Sequence, residues 1–339
     1  PHKGLPAMFV MMNAARIGVA NQSLGLTEVA YQNAVAYAKD RIQMRSLSGP
    51  KAPDKPADPI IVHPDVRKML LTARAYAEGA RAMALHTVLL LDLELKSDDE
   101  DERRACADEV ALLTPVLKAF FTDNGWLATS HCMQVYGGHG YIAEWGMEQY
   151  VRDARINMIY EGTNTIQSLD LLGRKMAMKK GSVLMSFVME LNNRLDALAK
   201  NEATKELSDL TRAAKAKLDG VIMKFMSLGR EKSMKAFVPL INACGLLEMF
   251  GDVILAVFLT EQAAVADAKL KAIFAEKGAA DDKAQAAIIA DNSEAKFYFS
   301  KTKTAEFFVK NLLPRVYWRE AGIMNMDISP MADVFEQLV

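Results

Sequence analysis

Cysteine is scarce in this chain, and its scarcity excludes two classes of protein at once. Cys106, Cys132 and Cys244 are the only three among 339 residues, and an odd number at wide spacing builds neither a disulfide framework nor a metal-ligand pattern. A reducing compartment is therefore expected. Five histidines, scattered away from cysteine and carboxylate clusters, give no reason to expect a metal centre. An excess of either charge is missing too. The formal net charge is −1, so nothing electrostatic recruits nucleic acid or an anionic membrane surface. The longest apolar run, 253–259, is far shorter than a bilayer span. No basic segment with an apolar core opens the chain, so the expected location is cytoplasmic. Strand-like alternation and internal repeats are absent from end to end.

What remains is helical. Hydrophobic residues make up 51% and charged residues 24%, the balance of a globular protein with length for one large or two ordinary domains. Apolar residues recur at three- and four-residue steps over 5–41, with polar Asn13, Arg16, Asn21, Gln22 and Glu28 between them. Four prolines make 46–59 a loop. A second helix enters at Pro64 and runs to about 95. The charged stretch 96–103 reads as a solvated turn. A third helix follows over 109–136, kinked or begun afresh at Pro115, and then come a short helix over 147–158 and a helix from Thr163 to 179. Beyond 181 the helical patterns are 182–200, 204–235, 237–277, 281–313 and a shorter tail. The expected fold is all-α: an up-and-down four-helix bundle over 1–180, followed by a second helical domain over 181–339.

The most informative stretch is 134–167, QVYGGHGYIAEWGMEQYVRDARINMIYEGTNTIQ. Glycines at 137, 138 and 140 let backbone N–H groups approach a bulky anion without a Cβ in the way. Thr163, Asn164 and Thr165 open a helix, where orphan amides attract phosphate or a polar ring edge. Glu161 lies on the break just before that helix, so its carboxylate can be aimed into a cavity and act as a base. A glycine turn also serves simply to stop a helix, and a glutamate at a helix start simply to meet its dipole. Residue chemistry alone leaves both readings open. Arg152-Asp153 reads as a structural ion pair or cap, Trp126 and Trp145 as packing, and His139 as a surface position.

The same stretch resembles the C-terminal signature of the acyl-CoA dehydrogenases: a QVYGGxGY turn, then RDA-x-I, then IYEGT-x-x-IQ, with no gap between Gln134 and Glu161. The resemblance extends over roughly 5–180. It implies the helical bundle that ends such enzymes, with their N-terminal helical domain and β-domain lacking here. The expectation is thus the C-terminal portion of a longer polypeptide, binding FAD weakly as a segment alone. The part beyond 180 resembles the extension of the larger members, including those acting on methylthiopropionyl-CoA.

Carried over by position, Glu161 is the base that removes the α-proton of an acyl-CoA thioester. Tyr160 and Gly162 line the thioester pocket, and Arg16 steadies the base and substrate region. Gln134, Gly137 and Gly138 bind the adenosine-diphosphate part of FAD, from a neighbouring subunit. Arg41 contacts its pyrophosphate across the dimer, and Thr163 and Thr165 touch the flavin. After Arg41 the family's aromatic and glycine are replaced, the chain reading Ile42-Gln43-Met44-Arg45, which departs from the pattern at that loop. The resemblance also implies an oxidoreductase of fatty acid metabolism, an electron-transfer flavoprotein or similar acceptor, and a homo-oligomer, dimer or tetramer. An acyl-CoA oxidase and a helical assembly module without catalysis are the alternatives.

Overall fold

The computed structural model describes residues 4–229 and 231–332. The fold is all-α, an up-and-down helical bundle followed by a second set of helices. Among the described residues the β contribution is one isolated antiparallel bridge, Ile42 with Pro59. Two compact units are present. One takes the chain up to Leu89 together with Leu117–Asn164, and the other takes Leu90–Val116 together with everything from Thr165 on.

The first unit is built on α1 (Gly4–Asp40), most of α2 (Pro64–Lys96), the latter half of α3 (Glu100–Val135) and the short α4 (Met147–Ile156). Small residues let α1 and α3 cross closely. A Cβ added to Gly125 would stand 2.1 Å from the Ser23 hydroxyl, which itself donates to the Phe121 carbonyl at 2.9 Å. Ala30, Ala34, Ala38, Ala73 and Ala77 are buried along α1 and α2, where short side chains bring backbones together and gain dispersion contacts.

Helix α3 starts earlier than the sequence predicts, and the charged stretch is shorter as a turn. The Asp99 carboxylate accepts from the backbone N–H of Asp101 at 2.9 Å and of Glu102 at 3.4 Å, an N-cap that satisfies orphan donors. Glu100, Asp101 and Glu102 then fill the first turn, where negative charge meets the positive end of the helix dipole. The helix continues through Pro115 without restarting.

In the second unit α5 (Asn164–Asp170) widens into a π-helical turn, Leu171–Lys175, so the helix predicted to reach 179 is shorter. Lys179, Lys180 and Gly181 take positive φ in succession before α6 (Ser182–Ala199). Then come α7 (Glu202–Leu228), α8 (Ala243–Glu276), α9 (Asp282–Asp291), α10 (Ser293–Phe307) and α11 (Arg315–Met324). The predicted helix over 281–313 breaks at Asn292, whose extended backbone and side chain, accepting from the Ala295 N–H at 2.8 Å, cap α10. Arg230 and the tail beyond Ala332, expected to be helical, lie outside the described residues.

Helix α8 is the core of this unit, packed against α7 and α10. Its length and mean hydropathy are those of a membrane span, yet 83% of its most apolar window is buried within the protein. Asp252 sits in the middle of it, fully buried. The Arg315 Nε donates to both Asp252 oxygens at 2.7 Å, and Arg319 Nη1 donates to Oδ2 at 2.9 Å. Two guanidiniums from α11 thus compensate one buried carboxylate, fixing α11 to α8 at a single register.

Candidate active site

Glu161 stands where α4 has ended and α5 has not begun. Its φ is 56°, and Gly162 follows at 85°. A left-handed non-glycine residue costs of order 1–3 kcal/mol and persists only where the surroundings over-determine it. The surroundings here are specific. Arg16, buried on α1, directs Nε to the Glu161 carbonyl at 3.4 Å and Nη1 to the Asn13 amide oxygen at 3.5 Å. The Asn164 N–H donates back to the Met158 carbonyl at 3.1 Å, closing the turn. Tyr160 donates its hydroxyl to the Gln22 amide oxygen at 2.5 Å. Its phenol is raised above the ordinary range by desolvation and by the nearby Glu161. The Glu161 side chain is half-buried, with Oε2 out of contact with solvent. Arg16, Tyr160, Glu161 and Gly162 are therefore brought together, with Asn13 and Gln22 as polar neighbours.

One group of this cluster is missing from the sequence reading. Lys118 on α3 is 0% exposed. Its Nζ donates to the Gly162 carbonyl at 2.8 Å and to the Asn164 Oδ1 at 2.9 Å. The Asn164 Nδ2 in turn donates to Asp123 Oδ1 at 2.7 Å and to the Thr122 hydroxyl at 2.9 Å. Burial pulls the Lys118 ammonium down to about 8; Asp123 and Glu161 oppose that fall, and Arg16 adds to it. The signal in the sequence is slight: one lysine inside the apolar run 115–121.

The second group of predicted residues forms a separate cleft of about 760 Å³ in the same unit. Arg41, Gln134, Gly137 and Gly138 all line it, beside Tyr37 and Tyr136, whose rings stack at 3.9 Å. His139 shares a 2.9 Å hydrogen bond with the Tyr37 hydroxyl and stacks on Trp145 at 4.8 Å. It is thus part of an aromatic wall and not a surface filler. Gly137 needs its missing side chain, with φ 58° and ψ −139°. A Cβ at Gly137 or Gly138 would meet nothing within 4 Å, so the backbone lies open to the cleft. Gly140 has a different reason: a Cβ there would stand 2.3 Å from the Met133 carbonyl oxygen. Its role is packing and not anion approach.

The departure after Arg41 has a structural answer. Met44 takes positive φ, and the loop closes through the Asp58 N–H to the Met44 carbonyl at 2.9 Å and the Ile60 N–H to the Arg41 carbonyl at 2.8 Å. The Arg45 guanidinium is occupied by Asp58 and the Ala52 carbonyl. Arg152 pairs with Glu148 at 2.6 Å, not with Asp153 as its first partner. Thr163 and Thr165 are exposed at the start of α5. The Thr165 hydroxyl oxygen accepts from the Cys244 thiol at 3.7 Å.

Residues 2–176 match the family "Acyl-CoA dehydrogenase, C-terminal domain", and residues 190–332 match "Acetyl-CoA dehydrogenase C-terminal like". The 3-methylmercaptopropionyl-CoA dehydrogenase of Ruegeria pomeroyi is 46% identical over 187 residues, 55% of this chain and 31% of that protein. A broad-specificity linear acyl-CoA dehydrogenase of Mycobacterium tuberculosis is 31% identical over 330 residues, 96% of this chain and 51% of that protein. The chain thus spans about half or less of the length of these relatives. An acyl-CoA dehydrogenase from Bacillus anthracis, solved in complex with FAD, shares the fold at a TM-score of 0.69 and 19% identity, over 97% of this chain and 51% of that one. With more than half of its residues matching that C-terminal domain, the chain belongs to the acyl-CoA dehydrogenase family.

Proposed function

We propose that this chain carries the base of an FAD-dependent acyl-CoA dehydrogenase that oxidises an acyl-CoA thioester between its α- and β-carbons. The observation that supports the reading most is the Glu161 turn: a carboxylate on a strained break, shielded from water at one oxygen and tied to two helices by Arg16 and Lys118. A base works best when its position is set before substrate arrives. The Glu161 carboxylate takes up the proton from the α-carbon. Arg16 holds the backbone carbonyl of Glu161, so the side chain leaves the turn in one direction. Tyr160 and Gly162 flank the thioester and keep water from the carboxylate.

The cleft at the far end of α1 suits the diphosphate and adenine of FAD. It offers the Arg41 guanidinium, an open glycine backbone at 137–138, the Gln134 side chain and an aromatic wall. FAD, when bound, supplies the acceptor for the hydride that leaves the β-carbon. Thr163 and Thr165 are the residues assigned to the flavin itself. Arg16 lies on α1 and Arg41 directly follows its last residue, 25 positions on, about 37 Å at a helical rise of about 1.5 Å per residue. That is farther than the pyrophosphate and ring system of one extended flavin nucleotide reach. This separation supports the reading that the Arg41 cleft serves the cofactor of a neighbouring copy, in a homo-oligomer where each copy completes its neighbour's site.

Residues 1–180 and 181–339 are proposed as its two domains, in a cytoplasmic enzyme that passes electrons to an electron-transfer flavoprotein or similar acceptor. The test is Glu161→Gln in the flavin-loaded enzyme. Flavin content and fold are expected to stay, and exchange of the α-proton and turnover of acyl-CoA to vanish. Dehydrogenation surviving in that variant would refute the assignment.

A further inference from the structure

Lys118 touches the Glu161 turn but takes no proton and meets no substrate in the reaction as described, yet it occupies the most protected place beside it. A fully buried ammonium is costly to desolvate, and a structural tie between α3 and the turn could be made by a neutral donor. The two acceptors of Lys118 are the Gly162 carbonyl and the Asn164 Oδ1, at 2.8 and 2.9 Å. They bracket Thr163, two residues after Glu161. Asn164 is held further by Thr122 and Asp123 from the same helix. This is the stretch in which two successive residues, Glu161 and Gly162, take the left-handed conformation. The charged groups that act on Lys118 are Asp123 on its own helix, Arg16 from α1 and Glu161 from the turn.

Resting on the reading of Glu161 as the base, we propose that Lys118 is the positioning residue of this site: its ammonium fastens the Gly162 carbonyl and the Asn164 side chain to α3, and so holds the Glu161 carboxylate in the arrangement that takes up the α-proton. Charge-assisted bonds are roughly twice as strong as neutral ones. A protonated Lys118 therefore holds the turn more firmly than a neutral amine does. Because burial brings its ammonium down to about 8, the grip weakens within a reachable alkaline range.

The experiment measures kcat, KM and flavin content against pH for the wild-type flavin-loaded enzyme, Lys118→Met, Lys118→Arg and the Glu161→Gln control. Lys118→Met removes both of its hydrogen bonds and is expected to lower kcat at least about 10- to 100-fold, the worth of a single charged hydrogen bond, with KM and flavin content little changed. The wild type is expected to show an alkaline limb in kcat near pH 8. Lys118→Arg should recover most of the rate and carry that limb to higher pH, because a guanidinium stays charged. A Lys118→Met enzyme with wild-type kcat, beside an inactive Glu161→Gln, overturns the role of Lys118 and leaves the base assignment standing. A full-length, flavin-loaded wild type that turns over no acyl-CoA overturns both. Should neither Lys118 variant fold, a wild-type profile without an alkaline limb near pH 8 overturns the proposal.

Discussion

Lys118 and Asp252 are each buried whole in an apolar stretch of helix, and each is tolerated because its partners stand at hydrogen-bond distance. For Asp252 the partners are two arginines. Replacing it by Ala is expected to cost roughly 3–5 kcal/mol of unfolding free energy, since two guanidiniums would be left partly uncompensated. Denaturant titration of the variant checks this. For Lys118 the sign of the pH effect follows from its lowered proton affinity. Between about 8 and the ordinary lysine value of 10.5 the unfolded chain holds a proton that the folded one has released. Wild-type stability relative to Lys118→Met should therefore rise with pH over that window. Denaturation of both proteins at pH 8 and pH 10 measures the difference. The break at Glu161, by contrast, was legible in the sequence, because Tyr160, Gly162 and Thr163 beside it form a contiguous pattern. Lys118 was not, because a lysine in an apolar run gives no hint of a carbonyl 44 residues away.

Among the elements, the proline-rich loop shows how one side chain can organise a segment without regular structure. The Asp58 carboxylate accepts from the backbone N–H of Ser46, Lys51 and Ala52 at 2.7–2.8 Å, and from Arg45 at 3.2 Å. The Ser46 amide above all, then Ala52, Lys51 and Arg45, hold its carboxyl down at about 2. A lowered carboxylate contributes stability that is full above its unfolded value of 3.8 and fades as pH falls through about 2. Asp58→Asn is expected to speed amide hydrogen exchange at Ser46, Lys51 and Ala52 at neutral pH; in the wild type the same speeding should appear only in strong acid. Unchanged exchange in the variant would mean that the loop is held by its backbone bridge alone. The loop's existence could be read from its prolines, and its closure could not. Likewise the acids of 96–103 pointed to solvent, which is where they lie, but which of them would start α3 depended on Asp99 adopting the capping geometry.

At the scale of the whole molecule, the separation of the two residue clusters along the chain bears on the proposed homo-oligomer. If each catalytic centre draws its base from one copy and its phosphate contacts from another, two differently damaged subunits should complement each other. Glu161→Gln and Arg41→Ala homo-oligomers are each expected to be nearly inactive. Oligomers reassembled from a mixture of the two should recover a fraction of wild-type turnover, measured by acyl-CoA oxidation after subunit exchange. No recovery in verified mixed oligomers would place both functions within one copy. The sequence by itself determined that the chain is helical, the proline loop, the glycine turn and the break at Glu161, because these depend on residues a few positions apart. Only the tertiary structure decided that Lys118 grips that break, that Gly140 serves packing while Gly137 and Gly138 stay open, and that Asp58 and Asp252 are compensated. Those outcomes depend on groups far apart in the chain meeting at hydrogen-bond distance, and such meetings are set by how helices pack and leave no periodic trace in the sequence.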